Sequence, residues 1–347
     1  MKKRRLLVVG LGSIGQRHVR NLRTLCGDTI DLSAFRVRKD GRVLGDRMSV
    51  VAESGLDEHY GIRGHSSLRA ALDERPDAVL VCNPTKLHLP VAYAAAERGA
   101  HLFIEKPLSH DLDGTDDLVQ LARQQRLVVL VGFQMRFHPC FREARRMLSE
   151  DAIGRVVAAR LMIGEWLPGF HPWEDYRTGY AAREDLGGGV VLTLIHEIDA
   201  ALALFGMPKR VFSLGGHRSS LELNVEDFAS TLLDCEVRGR PVSVHVQQDY
   251  LQLPGSRRWE ILGDAGRIEI DLTVPSLTRI DREGTAEIRT FPGFERNTLF
   301  LDEMRHFLAC LDGCESPVAS LTDAIASQLV AGAIHESIVT GKVVGLA

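Results

Sequence analysis

Short apolar runs alternate with amphipathic stretches over the first 130 residues. Residues 5–9 form an apolar run that enters a glycine turn, and residues 13–25 carry the three-to-four-residue spacing of a helix. Residues 30–35, 78–82, 101–104 and 128–131 read as further strands. Between them, residues 68–74, 91–98 and 113–125 read as helices, the second stopped by Gly99. Strands alternating with helices predict a parallel sheet with right-handed crossovers.

The pattern changes after about residue 130. A helix over 140–149 precedes alternating runs at 156–163, 210–214, 229–235, 242–248, 259–262 and 267–271. Strict alternation predicts a mostly antiparallel sheet with one polar face. Two helices follow, over 300–311 and 321–339, the second ended by Gly341. The reading is an α/β chain with a first domain over residues 1–130 and an α+β domain over 131–347. The last helix is a candidate to pack back on the first domain.

Composition narrows the class. The chain has 347 residues, 45% hydrophobic and 25% charged, with a net charge of -4. That length suits two domains, and the charge balance gives no reason to expect a nucleic-acid or membrane partner. No apolar run approaches the roughly 18 residues a membrane span needs. The basic start, Lys2-Lys3-Arg4-Arg5, precedes an apolar run that breaks at Gly10, so it reads as the lead-in to a strand rather than a leader. The six cysteines include no C-x-x-C pair; Cys310 and Cys314 share a helix face without a second pair to complete a zinc site. Free thiols in a reducing cytoplasm, with no metal and no disulfide, are the expectation.

Gly10-Leu11-Gly12-Ser13-Ile14-Gly15 is G-x-G-x-x-G between an apolar strand and a helix. In that context the pattern marks a Rossmann dinucleotide site. The first glycine permits a tight turn, the second lets backbone approach a pyrophosphate, and the third lets helix and sheet pack closely. Ser13 and Ile14 open the helix whose free N–H groups face the phosphates. An acid about 20 residues on would read the ribose of NAD. Asp31 lies too early, and the strand end reads Ser33-Ala34-Phe35-Arg36-Val37-Arg38-Lys39. Arg36 and Arg38 favour a 2′-phosphate, hence NADP over NAD; the alternative is a basic surface turn with NAD still bound.

Two further segments carry a family resemblance. Asn83-Pro84-Thr85-Lys86-Leu87-His88 follows a strand, and Gly99-Ala100-His101-Leu102-Phe103-Ile104-Glu105-Lys106-Pro107 ends in E-K-P. Both resemble the glucose-fructose oxidoreductase and inositol dehydrogenase family (Gfo/Idh/MocA). The segment 131–139, the triple glycine Gly187-Gly188-Gly189 leading to His196-Glu197-Ile198-Asp199, and the C-terminal helix extend the likeness over most of the chain. The resemblance implies a Rossmann domain followed by a domain with a large open sheet, through which subunits pair as a homodimer or homotetramer. It implies that Asn83, Pro84, Thr85, His88, Glu105, Lys106, Pro107 and Gln134 line the nicotinamide half of the cofactor site. It also implies that a cis bond precedes Pro107.

Oxidising a sugar hydroxyl needs a group that takes the oxygen's proton as hydride leaves the adjacent carbon. His196 matches the family's catalytic histidine and Lys106 its partner; an imidazole titrates in the useful range. The bland rivals are a core histidine in an apolar helix over 190–195 and a surface lysine. Many relatives carry an Asp three or four residues before the histidine; Thr193 and Leu192 stand there instead. Either His196 works with Lys106 alone, or a tyrosine such as Tyr176 or Tyr180 assists.

The aromatic and arginine-rich segment 165–183 resembles a loop of relatives encoded with acidic-sugar or nucleotide-sugar biosynthesis. Rings stack on sugars and guanidiniums clamp carboxylate or phosphate. Trp173, Tyr176, Arg177, Tyr180 and Arg183 are therefore substrate candidates, with Arg136 and Thr193; the alternative is a structural loop. The leading reading is an NAD(P)-dependent oxidoreductase acting on a sugar, cyclitol or nucleotide-linked sugar. The alternatives are an epimerase, lyase or glycosidase working by transient oxidation, and a silent dinucleotide-binding regulator.

Overall fold

A strand buried on both faces needs an uninterrupted apolar run, and Leu6, Leu7, Val8 and Val9 supply one, as do Ala78, Val79, Leu80 and Val81. These runs are the centre of the first sheet. The computed structural model describes residues 3–37, 41–45, 49–53 and 55–346.

The N-terminal part runs β1 (Arg4–Val9), α1 (Ser13–Cys26), β2 (Ile30–Phe35), β3 (Val43–Leu44), β4 (Val50–Ala52), α2 (Leu56–Tyr60) and β5 (Arg63–His65). It continues through α3 (Leu68–Asp73), β6 (Ala78–Val81), α4 (His88–Ala96), β7 (His101–Glu105), α5 (Thr115–Gln124) and β8 (Val129–Gly132). Beyond lie α6 (Pro139–Ser149), β9 (Val156–Gly164), α7 (Val190–Thr193), α8 (His196–Phe205), β10 (Arg210–Gly216), β11 (Phe228–Val237) and β12 (Arg240–Asp249). The chain then adds β13 (Ser256–Gly263), β14 (Gly266–Asp271), β15 (Ser276–Asp281), β16 (Ala286–Thr290), α9 (Arg296–Leu311), α10 (Leu321–Thr340) and β17 (Val344–Gly345).

Two compact units result, Met1–Gln134 with Arg296–Ile325, and Met135–Glu295 with Ala326–Ala347. The division is therefore not one cut near residue 130: α9 folds with the N-terminal unit. The reason is local. Met304 and Phe307 are fully buried in the cluster that holds Leu6, Val8, Val19, Leu22, Leu80 and Phe103. Phe103 and Phe307 meet edge-on with centroids 5.5 Å apart.

The first unit's main sheet is six-stranded in the order β5-β2-β1-β6-β7-β8, with every pair parallel. Counted along this sheet, the order is 3-2-1-4-5-6, the doubly wound arrangement whose crevice opens beyond the strands' carboxyl ends. The second unit holds a nine-stranded sheet ordered β16-β15-β14-β13-β9-β12-β11-β10-β17. Only β9 and β12 pair in parallel. Leu161, Ile163, Val244, Val246, Trp259 and Ile261 bury one face, and α7 and α8 pack over β11 and β12. The other face is open.

The segment before His196 departs from the single apolar helix expected. Residues 190–193 form α7, Leu194 leaves helical geometry, and His196 is the first residue of α8. The axes of Glu184–Thr193 and His196–Phe205 differ by 48°.

Candidate functional site

In the first unit the glycine turn has the shape its residues imply. Gly10 has φ +94°, and a Cβ there would lie 2.7 Å from the Cys82 carbonyl oxygen. A Cβ on Gly15 would lie 2.0 Å from the Gly10 carbonyl oxygen, so α1 starts pressed against the turn. Over Gly12 nothing stands within 4 Å. The first turn of α1 carries no acidic residue and its N-cap Gly12 makes no side-chain hydrogen bond, so its positive dipole end is not offset by a carboxylate of its own first turn. A pyrophosphate fits this cradle.

The end of β2 is tied to the same turn, because Gly10 N–H donates to Phe35 O at 2.9 Å. Arg36 follows directly. Its Nη1 and Nη2 donate to the two oxygens of Asp57, the second at 3.2 Å. Arg38 lies outside the described residues.

The N-P-T and E-K-P segments are joined by His88. Its Nδ1 is 2.8 Å from Pro107 O and its Nε2 2.8 Å from Asn83 O. Burial lowers the His88 pKa, and the two carbonyls oppose that shift. Asn83 donates from Nδ2 to Leu87 O at 3.0 Å, and Thr85 and Gln134 are buried. The Lys106–Pro107 peptide is cis. The Lys106 N–H donates to Glu105 Oε2 at 3.2 Å, while His18 Nε2 donates to Glu105 Oε1 at 2.6 Å. His18, one turn past the glycines on α1, thus links the pyrophosphate turn to the strand end that carries Lys106. Sequence reasoning passed over His18, whose signal was its place on the buried face of α1. It also passed over Glu303, a fully buried carboxyl raised well above its usual range by desolvation and then by Glu105.

In the second unit, residues 180–183 wrap the triple glycine: a Cβ on Gly188 would lie 2.2 Å from Tyr180 O and 2.8 Å from both Ala181 O and Arg183 O. Glu226 Oε1 accepts from Val191 N–H at 3.0 Å in the first turn of α7. Gln248 donates to Leu194 O at 2.8 Å and to Val191 O at 3.3 Å, occupying carbonyls at the helix break. The acids after His196 anchor α8 to the fold. Glu197 accepts from Arg257 Nε at 2.5 Å and Trp259 Nε1 at 3.3 Å. Asp199 accepts from Arg136 Nε at 3.0 Å and Nη2 at 2.6 Å. Arg136, expected at substrate, therefore braces the helix that begins with His196.

The loop candidates separate. Tyr176 OH accepts from Glu222 N–H at 3.0 Å, and Trp173 stacks near His171 with centroids 5.1 Å apart. Arg177 is held by Asp175 and Glu222, and Arg183 by Asp185. The two arginines line a shallow cleft of about 410 Å³ with Thr178 and Asn224.

Residues 4–133 match the model described as the oxidoreductase family with an NAD-binding Rossmann fold, and residues 141–269 match the GFO/IDH/MocA C-terminal domain. The chain belongs to the Gfo/Idh/MocA oxidoreductase family. It is an NAD-binding oxidoreductase. The chain is 26% identical to myo-inositol 2-dehydrogenase of Thermotoga maritima, over 96% of each chain. It is also 26% identical to D-xylose 1-dehydrogenase (NADP(+)) 2 of Haloferax volcanii, over 86% of this chain and 89% of that one. A solved oxidoreductase from Agrobacterium radiobacter, in complex with NAD+, L-tartaric acid and magnesium, shares the fold. Its TM-score is 0.81 at 17% identity, covering 99% of this chain and 98% of that one.

One departure from the Gfo/Idh/MocA pattern has a structural counterpart. Thr193 stands where many Gfo/Idh/MocA enzymes carry an acid, and it is buried against the phenol of Tyr250. Tyr250 is fully buried, donates to Ala181 O at 3.3 Å, and has its pKa raised well above the usual value, first by burial. No motif pointed to Tyr250.

Proposed function

We propose that this oxidoreductase acts on a ring CH–OH of a sugar, cyclitol or nucleotide-linked sugar, with NADP favoured over NAD. The observation that carries the reading is the glycine cradle, tight at Gly10 and Gly15 and open over Gly12, beside an E-K-P strand end pinned by His18. Relatives named as inositol and xylose dehydrogenases support the substrate class. When bound, the dinucleotide supplies the hydride acceptor or donor. The backbone of residues 12–15 would hold its pyrophosphate, and Arg36 would supply the cation for its 2′-phosphate.

Lys106 polarises the substrate hydroxyl and His196 takes its proton. The residues around them orient: Glu105 fixes the Lys106 peptide, and Asp199 with Arg136 braces α8. Tyr176, Arg177, Tyr180, Trp173 and Arg183 form the substrate wall, and Thr193 acts from beneath through Tyr250. A cytoplasmic enzyme that pairs with copies of itself through the open sheet face completes the reading.

Reduced-cofactor absorbance across a panel of sugars, cyclitols and nucleotide-linked sugars tests the reading. Turnover in the parent, lost by roughly a hundredfold or more in Lys106→Ala and His196→Ala, is expected from loss of an acid–base group. Full activity in both variants would sink the assignment.

A further inference from the structure

We propose that Asp57 tempers the NADP preference of the dinucleotide site, by holding Arg36 and presenting a carboxylate where the end of β2 itself carries none. The proposal rests on the dinucleotide reading of the glycine turn. It starts from place. Gly10 N–H bonds to Phe35 O, so Arg36 is the first residue beyond the strand end at the turn. Asp57 reaches that strand end from α2, outside the stretch where an acid would be sought. A Cβ on Gly64 would lie 2.7 Å from Asp57 Oδ2, and Gly64 pairs with Ala34 of β2. The bare glycine makes room for the carboxylate above the strand.

The pairing decides what Arg36 can read. A guanidinium clamps a phosphate through two parallel N–H donors. In Arg36 both Nη groups already face Asp57, and Nε has no hydrogen-bond partner among the described residues. The pair is only partly covered, with side-chain exposures of 18% for Arg36 and 38% for Asp57, so a ligand can reach it. A ribose 2′-hydroxyl can donate to the Asp57 carboxylate and leave the pair intact. A 2′-phosphate must draw Arg36 away and is repelled by the carboxylate. Asp57 thus favours the hydroxyl and restrains the preference for NADP that Arg36 confers.

Fluorescence titration of NADH and NADPH against the parent, Asp57→Asn, Asp57→Ala and Arg36→Ala tests this without a substrate, with thermal melting as the folding check. Both Asp57 variants are expected to bind NADPH about tenfold more tightly relative to NADH, the scale of one charge-assisted contact. Arg36→Ala is expected to shift the ratio about tenfold the other way. A ratio within about twofold of the parent in both Asp57 variants, with NADH still bound, overturns the role of Asp57 alone. A parent that binds neither dinucleotide removes the cofactor reading and this proposal with it.

Discussion

At the scale of single residues, Glu303 is the most unusual group in the first unit. Both of its oxygens are buried without a hydrogen-bond partner among the described residues. The titratable groups that act on it or feel it are Glu105 at the end of β7 and Cys82 after β6, whose thiol is also pushed up by burial and by the two carboxyls. A carboxyl so raised keeps its proton in the folded state when the unfolded chain, with its pKa of about 4.3, has lost it. Its contribution to stability is fully present below that unfolded value and is lost as pH rises toward the folded one. Glu303→Gln, which keeps the shape and removes the titration, is expected to match the parent's melting temperature near pH 4.5. At pH 8 it should melt above the parent, because there the unfolded parent chain has released the proton that its folded state retains. Calorimetry across that range checks it; equal melting at every pH would place the Glu303 charge elsewhere. None of this was legible in the chain, because residue 303 meets residue 105 only through tertiary packing.

Among the elements, those built on strong periodicity were legible and those built on distant partners were not. The four-residue apolar run of β6 and the alternation along β11 and β12 fixed their type, since a strand buried on one or both faces leaves that mark. Arg63–His65 of β5 and Ala286–Thr290 of β16 left none, being short, polar and at sheet edges. The break before His196 was equally hidden. Apolar residues over 190–195 suit a continuous helix, yet Gln248, 54 residues away from Leu194, takes the carbonyls at which the helix turns. Gln248→Leu leaves the Val191 and Leu194 carbonyls without that donor. It is expected to cost about 1–3 kcal/mol, read as a lower urea midpoint with the slope unchanged. A midpoint equal to the parent's would mean that the break does not depend on Gln248. Of the site itself, the turn and E-K-P were readable as motifs, while His18 and Asp57 brace the first unit's motifs, and Tyr250 and Gln248 the segment before His196, from positions that no spacing rule connects.

At the scale of the whole molecule, the question is what covers the open face of the nine-stranded sheet. Phe212 stands opposite Leu232, and Leu232 opposite His245, while Leu214, Ser230, Gln247 and Met162 form the next row. Leu214 and Leu232 are 57% and 54% exposed in the single chain. Toward β13 and β14 the face turns ionic, with Arg160 on Glu260 at 3.2 Å and Arg258 on Asp271 at 3.3 Å. Exposed leucines among uncharged polar side chains, bordered by ion pairs, are how one side of an interface is built. Nine strands spaced about 4.8 Å apart span roughly 40 Å, and strands of five to ten residues, the two-residue β17 apart, make the face roughly 17–30 Å tall. The resulting area, on the order of 700–1,200 Å², brackets the roughly 800 Å² that each partner contributes to a stable interface. A second copy of this chain, presenting the same face, satisfies that area without a further partner. Leu232→Asp puts an unpaired charge between Phe212 and His245 in the middle of these rows. Light scattering on the eluting peak should then fall from a multiple of 38.4 kDa to that mass, while circular dichroism stays that of the parent. A parent already at the single-chain mass, or a variant that keeps the multiple, would leave the sheet face without the role assigned to it.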